Sequence, residues 1–230
     1  MNKKESNDRT RKILDNIRKA LPTADETTTQ DIATHLAQHP RGPVPPPPAD
    51  LYTHFIEQAL KLSSDVMETE LRSDVPTMLG HYLSERSLPM QGVCWPELAE
   101  LPWEAAELEI KARPAQDTDP VGVTSTFCAI AETGTLMMLS GADTPASTSL
   151  LPETHVAVVD PKRILATMED AWDLMRKEHP EAPRAVNFIS GPSRTADIEQ
   201  TVTLGAHGPY RDLIILVPNQ DNASGAMTSR

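Results

Sequence analysis

Three short stretches of this sequence place residues that can do chemistry beside glycines that expose them. In "CAIAETGTLMML", Glu132 ends an apolar run two residues before Gly134, and glycine is the residue that takes positive φ in a tight turn. Such a hairpin displays a carboxylate at a sheet edge as nucleophile, general base or ligand anchor, or simply as the cap of the turn. In "ISGPSRTADIE" a strand ending at Ile189 meets the turn at Gly191 and Pro192. Ser193 or Thr195 can then cap a short helix beginning around Ala196. Gly191, Ser193, Arg194 and Thr195 would thereby offer backbone N–H groups and a guanidinium to a small anionic metabolite. Asp197 and Glu199 support the alternative of a helix that answers its own dipole. In "LGAHGPY", Gly205 and Gly208 leave room for close approach around His207, a residue type that moves protons near neutral pH. Were Glu132, Asp197 and His207 to converge they could hold a metal, but their spacing matches no ligand pattern and no metal is expected.

The elements that must position these residues follow from periodicity. "RKILDNIRKAL" sets Ile13, Leu14, Ile17 and Leu21 on one face of an amphipathic helix. "TTQDIATHLAQHP" forms a second helix ended by Pro40, and its His35 and His39, four apart, share a face as a metal pair would or as two solvated histidines. Pro45 to Pro48 then impose an extended connector. Residues 1–48 read as a helical arm with its linker, 49–218 as the main domain and 219–230 as a disordered tail.

Beyond the connector, "DLYTHFIEQALKLSSDVMETE" carries a helical stripe at Leu51, Phe55, Ala59, Leu62 and Val66, with Asp50 as N-cap. A further helix opens near Pro76. From there "QGVCW", "LEIKA", "CAIAE", "TLMML", "THVAVVD", "RAVNFIS" and "DLIILVP" read as strands, with a helix through "PKRILATMEDAWDLMRKEH". Strands alternating with helices give an α/β domain, and continuous apolar runs such as Val156 to Val159 suit strands covered on both faces. Ligands of open α/β sheets sit at the carboxyl ends of the strands, so residues just after strands, such as Glu132, Gly191 and Ser193, are placed to meet one.

Composition narrows the chemistry. With 33 Asp and Glu against 21 Lys and Arg, the net charge of −12 repels nucleic acid and anionic lipid. No stretch approaches the roughly 18 apolar residues of a membrane span, and the amino terminus has no apolar leader, so the cytoplasm is expected. Cys94 and Cys128 are the only cysteines of the 230 residues. An iron–sulfur cluster or structural zinc needs about four ligands, so neither is expected here, and a leaderless protein keeps such thiols reduced.

Taken together, "AIAETGTL", "LLPETHVAVV", "FISGPSRTADIE" and "GAHGP" resemble, in order and spacing from about Val121 to Val217, the signature stretches of the lactate-utilisation protein C family, the LutC/YkgG-like proteins built around a LUD domain. The resemblance implies a sheet covered by helices, as in the NagB/RpiA/CoA-transferase group. It implies a role beside two iron–sulfur partner proteins that oxidise L-lactate to pyruvate, with the clusters in the partners and none in this chain. It also implies an alternative: related CoA transferases attack an acyl-CoA with a rim glutamate like Glu132, although Thr133 stands where those enzymes often carry asparagine.

Overall fold

The computed structural model describes residues 3–20, 26–43, 46–195, 203–205 and 207–218. The chain divides into two units, residues 1–44 and 45–230, a boundary a few residues before the one expected. The first unit contains α1 (Lys3–Ala20) and α2 (Glu26–Gln38). Ile13, Leu14 and Ile17 of the apolar stripe are exposed, as are Ile32 and Leu36; Leu21 lies outside the described residues. His35 and His39 are solvated, and no group of three potential metal ligands occurs among the described residues.

The second unit opens with α3 (Leu51–Lys61). Asp50 caps it, accepting from the N–H groups of Tyr52 and Thr53 at 3.0 and 3.2 Å. The helix stops earlier than the apolar stripe predicts. Ser63 turns into the left-handed region at φ 71°, and Val66 belongs to a strand, β1 (Asp65–Glu68). Then come α4 (Val75–Glu85), with Pro76 in its first turn, β2 (Gln91–Cys94), β3 (Glu109–Ala112) and β4 (Val121–Ser125). A hairpin of β5 (Cys128–Ile130) and β6 (Thr135–Leu139) follows, with α5 (Ser147–Leu150), β7 (Thr154–Val159), β8 (Ile164–Leu165), α6 (Met168–Glu178) and β9 (Val186–Ile189). The last strands are β10 (Arg194–Thr195), β11 (Thr203–Leu204) and β12 (Arg211–Leu216).

The long helix expected from Pro161 begins only at Met168. Ile164 and Leu165 pair with β5 instead, and Thr167 makes a capping box with Asp170, whose N–H donates to the threonine hydroxyl at 3.2 Å.

Six strands form one parallel sheet in the order β1-β12-β7-β4-β2-β3. Four more form a mixed sheet, β8-β5-β6-β9, and β10 with β11 makes an antiparallel ribbon. Period-two alternation builds the layers. Val156, Val158, Leu213 and Ile215 face α4 through Leu79 and Leu83, whereas Ala157, Val159, Ile214 and Leu216 face α3 and one side of the small sheet, meeting Phe55, Leu136 and Met138. The other side of the small sheet buries Cys128, Ile130 and Met137 under Ala171 and Met175 of α6. A parallel sheet covered on both faces is the architecture the sequence implies.

Candidate functional site

The β5–β6 hairpin turns at Gly134, whose φ is 65°. A Cβ there would lie 2.4 Å from the backbone nitrogen of Ala59 in α3. At the end of β9, Gly191 has φ 76°, and its Cβ would lie 2.5 Å from the carbonyl oxygen of Leu62. Two separate turns therefore close on the carboxyl end of one helix, and each needs glycine for its conformation and for its closeness. A hydroxyl series joins them: Thr133 donates to Thr135 Oγ1 at 2.8 Å, and Thr135 pairs with Ser190 Oγ at 2.7 Å. Glu132 sits beside this series, half-buried, with its N–H donating to the Ala166 carbonyl at 3.0 Å. Among the described residues its carboxylate has no hydrogen-bond or ion-pair partner.

The stretch after Gly191 differs from its expected form. Arg194 and Thr195 are strand residues paired with Leu204 and Thr203, so no helix starts at them; the helix expected from Ala196 lies outside the described residues. The N–H of Ser193 donates to Pro209 at 2.8 Å, and the carbonyl of Ser193 accepts from Gly205 at 2.9 Å. That N–H is spent within the protein rather than aimed at an anion. Arg194 is exposed and donates from Nη2 to the Leu62 carbonyl at 3.4 Å. Gly208 packs beside Ser193, where a Cβ would stand 3.4 Å from the serine Cβ. His207 is exposed, and no hydrogen bond among the described residues joins it to Glu132 or Ser193. Gly191 and Arg194 thus meet at Leu62, Ser193 meets Gly208, and Glu132 lies across the hydroxyl series from Ser190.

These residues follow strands, but Glu132 and Ser190 follow strands of the small sheet. Their turns close on the end of α3, which leads through Ser63 and Ser64 into Asp65, the first residue of β1. They gather near the edge where the large parallel sheet begins, opposite its carboxyl ends.

A buried polar series passes unnoticed in the sequence. Ser64 donates to Asp212 Oδ2 at 2.8 Å, Asp212 Oδ1 lies 2.8 Å from His155 Nδ1, and His155 Nε2 lies 2.9 Å from the Thr124 hydroxyl. Nδ1, facing a carboxylate, takes the ring proton, which leaves Nε2 to accept from Thr124. An acid, an imidazole and a hydroxyl in line are the parts of a nucleophile-activating triad, yet His155 and Thr124 are 0% exposed and Asp212 is 2% exposed. Sealed from any substrate, the series ties the α3–β1 junction to the middle of the sheet. Its one sequence signal is a histidine inside the apolar run "THVAVV", at a position whose alternation points inward.

Both thiols are buried, Cys94 in β2 and Cys128 in β5. Desolvation pushes them up to about 11 and about 12 respectively, so both are protonated at neutral pH. They sit in separate hydrophobic clusters.

A parallel sheet clothed by helices and backed by a small mixed sheet defines the class, an α/β domain. The LUD domain family matches residues 53–217, and the chain belongs to that family. Lactate utilization protein C of Bacillus subtilis is 36% identical over 121 residues, covering 51% of this chain and 50% of that protein. The protein of the same name from Halalkalibacterium halodurans is 30% identical over 183 residues, 71% of this chain and 77% of its own. The chain spans about half the length of the Bacillus subtilis relative and of several others so named. A DUF162 family protein from Deinococcus radiodurans, known from its crystal structure, superposes with a TM-score of 0.56 at 20% identity, covering 75% of this chain and 99% of that one; it shares the fold.

Proposed function

We propose that this chain acts in the cytoplasm in lactate utilisation, as the cluster-free accessory subunit of a complex whose two partner proteins carry the iron–sulfur clusters that oxidise L-lactate to pyruvate. The observation that carries the reading is family membership together with relatives named for lactate utilisation. The chemistry of the thiols supports it: two buried, protonated cysteines leave electron transfer through clusters to other chains. Among the described residues no helix is long and apolar enough to cross a membrane, which agrees with assembly on soluble partners. Affinity capture of the tagged chain from native extract, with iron and acid-labile sulfide measured on the eluate, should return cysteine-rich companions carrying clusters. The purified chain alone, reconstituted anaerobically with iron and sulfide and then desalted, should stay colourless. A stoichiometric visible chromophore on the chain by itself would overturn the assignment.

A second reading, acyl transfer from a CoA thioester through Glu132, is favoured by one observation: a half-buried carboxylate with no partner among the described residues, at a turn with hydroxyls alongside. In this reading Gly191, Ser193, Arg194, Thr195 and Gly208 hold the anionic substrate and His207 moves the proton. Mass spectrometry of the intact chain after incubation with acetyl-CoA tests it. An adduct lost in Glu132→Gln supports it, and an unmodified chain defeats it.

A further inference from the structure

We propose that two copies of this chain join edge to edge through β3, antiparallel and centred on Ile110, so that their large sheets run on as one. β3 is the outermost strand of the sheet order, and among the described residues only β2 pairs with it. The N–H of Glu109 donates to Met90, the residue before β2, at 2.9 Å. Backbone groups alternate in direction along a strand, so Ile110 and Ala112 turn their N–H and C=O groups outward, away from β2. An edge with such groups is a template for another strand.

This edge is complementary to itself. From Glu107 the chain reads "ELEIKAR", so the charges change sign about Ile110. A two-fold axis at Ile110 lets the two copies of that residue exchange both backbone bonds, and it sets Glu109 of each copy opposite Lys111 of the other. Those opposed positions are the non-hydrogen-bonded pairs, whose side chains lie closest. Glu109 and Lys111 are 65% and 61% exposed, on the face away from the cluster in which Leu108 is buried and against which Ile110 packs. Within one copy the two meet at 2.6 Å along the strand; across the axis each gains the opposite charge of the second copy. Arg113 could extend the series opposite Glu107, but Asp119 already holds it at 2.7 Å through both carboxylate oxygens. The match therefore rests on Glu109, Ile110 and Lys111. The other outer strand of the large sheet lacks this property. β1 reads "DVME", and full antiparallel self-pairing there sets Asp65 opposite Glu68, acid against acid. With a net charge of −12 two copies repel in general. An edge that joins them needs local complementarity, which β3 has and β1 lacks.

The interface does not depend on the lactate reading. Sedimentation velocity of the full chain over a dilution series tests it, with circular dichroism reporting the fold of each variant. The wild-type chain should show a dimer that dissociates on dilution. Lys111→Glu sets acids against acids and Glu109→Lys sets bases against bases, so each should weaken self-association about tenfold or more. Mixed together, the two variants complement each other and the dimer should return, as it should in the double variant carrying both changes. Hydrogen exchange at the Ile110 amide should slow as the dimer forms. A wild-type chain that stays monomeric, a dimer unchanged in both folded variants, a mixture that does not reassociate, or an Ile110 amide indifferent to dimer formation would each overturn the interface. Should a single variant fail to fold, the Ile110 amide of the wild-type chain decides.

Discussion

Asp212 is the residue on which the buried series depends, because it answers Ser64 and His155 at once. Replacing it by alanine strands an imidazole and a hydroxyl without a partner in a water-free layer. The expected loss is about 3 kcal/mol of unfolding free energy, against about 1 kcal/mol for Ser64→Ala, which removes one hydrogen bond. Urea unfolding of the two variants checks the ordering, and wild-type stability in Asp212→Ala would mean that the series does not form. The contrast with Glu132 shows what a sequence exposes at this scale. Glu132 was legible because Gly134, two residues away, announces the turn that presents it. The pairing of His155 with Asp212 was not, since it spans 57 positions: the apolar run marks His155 as inward-facing, but nothing local names its partner. Arg194 lay between the two cases. Its place after a strand and a glycine was readable, but the carbonyl it reaches belongs to Leu62, 132 positions away, and its neighbour's N–H is used by Pro209.

Among the elements, α3 has the largest share in placing the hairpin and the β9 turn, because both glycine turns abut its carboxyl end. Alanine at Gly134 or Gly191 would combine positive φ with a Cβ inside van der Waals contact of backbone atoms that cannot rotate away. Each substitution should cost about 2 kcal/mol or more. Gly42→Ala is the control, with nothing within 4 Å of the added methyl, and should change stability by less than about 0.5 kcal/mol. Thermal unfolding separates them; a neutral Gly134→Ala would detach the hairpin from α3. Element types were mostly readable from periodicity, and the exceptions share a cause. β4, at the centre of the sheet, escaped because Gly122, Thr124 and Ser125 break its apolar run. Gly122 is required there, since a Cβ would stand 2.0 Å from the Thr148 carbonyl, and Thr124 serves His155. β1 was absorbed into the helical stripe before it because Val66 continues that spacing. In each case a long-range contact, invisible in a local window, overrode the local pattern.

For the molecule as a whole, the second unit, which begins at residue 45, carries hydrophobic clusters built from its own residues, and folding without the arm is the expected outcome. A chain beginning at residue 49 should unfold in a single cooperative transition, followed by circular dichroism. Insolubility of that truncation would instead make the apolar stripe part of the core. Strand order has another effect, on the timing of synthesis. Among the described residues the first strand of the large sheet, β1, pairs only with β12, which also completes β7, and the bond between Ser64 and Asp212 closes over 148 positions. Until residues 211–216 leave the ribosome, β1 has no neighbour and β7 keeps an open edge that another chain could join. Such distant pairing slows folding, and a nascent chain in this condition must be shielded until its final strand arrives.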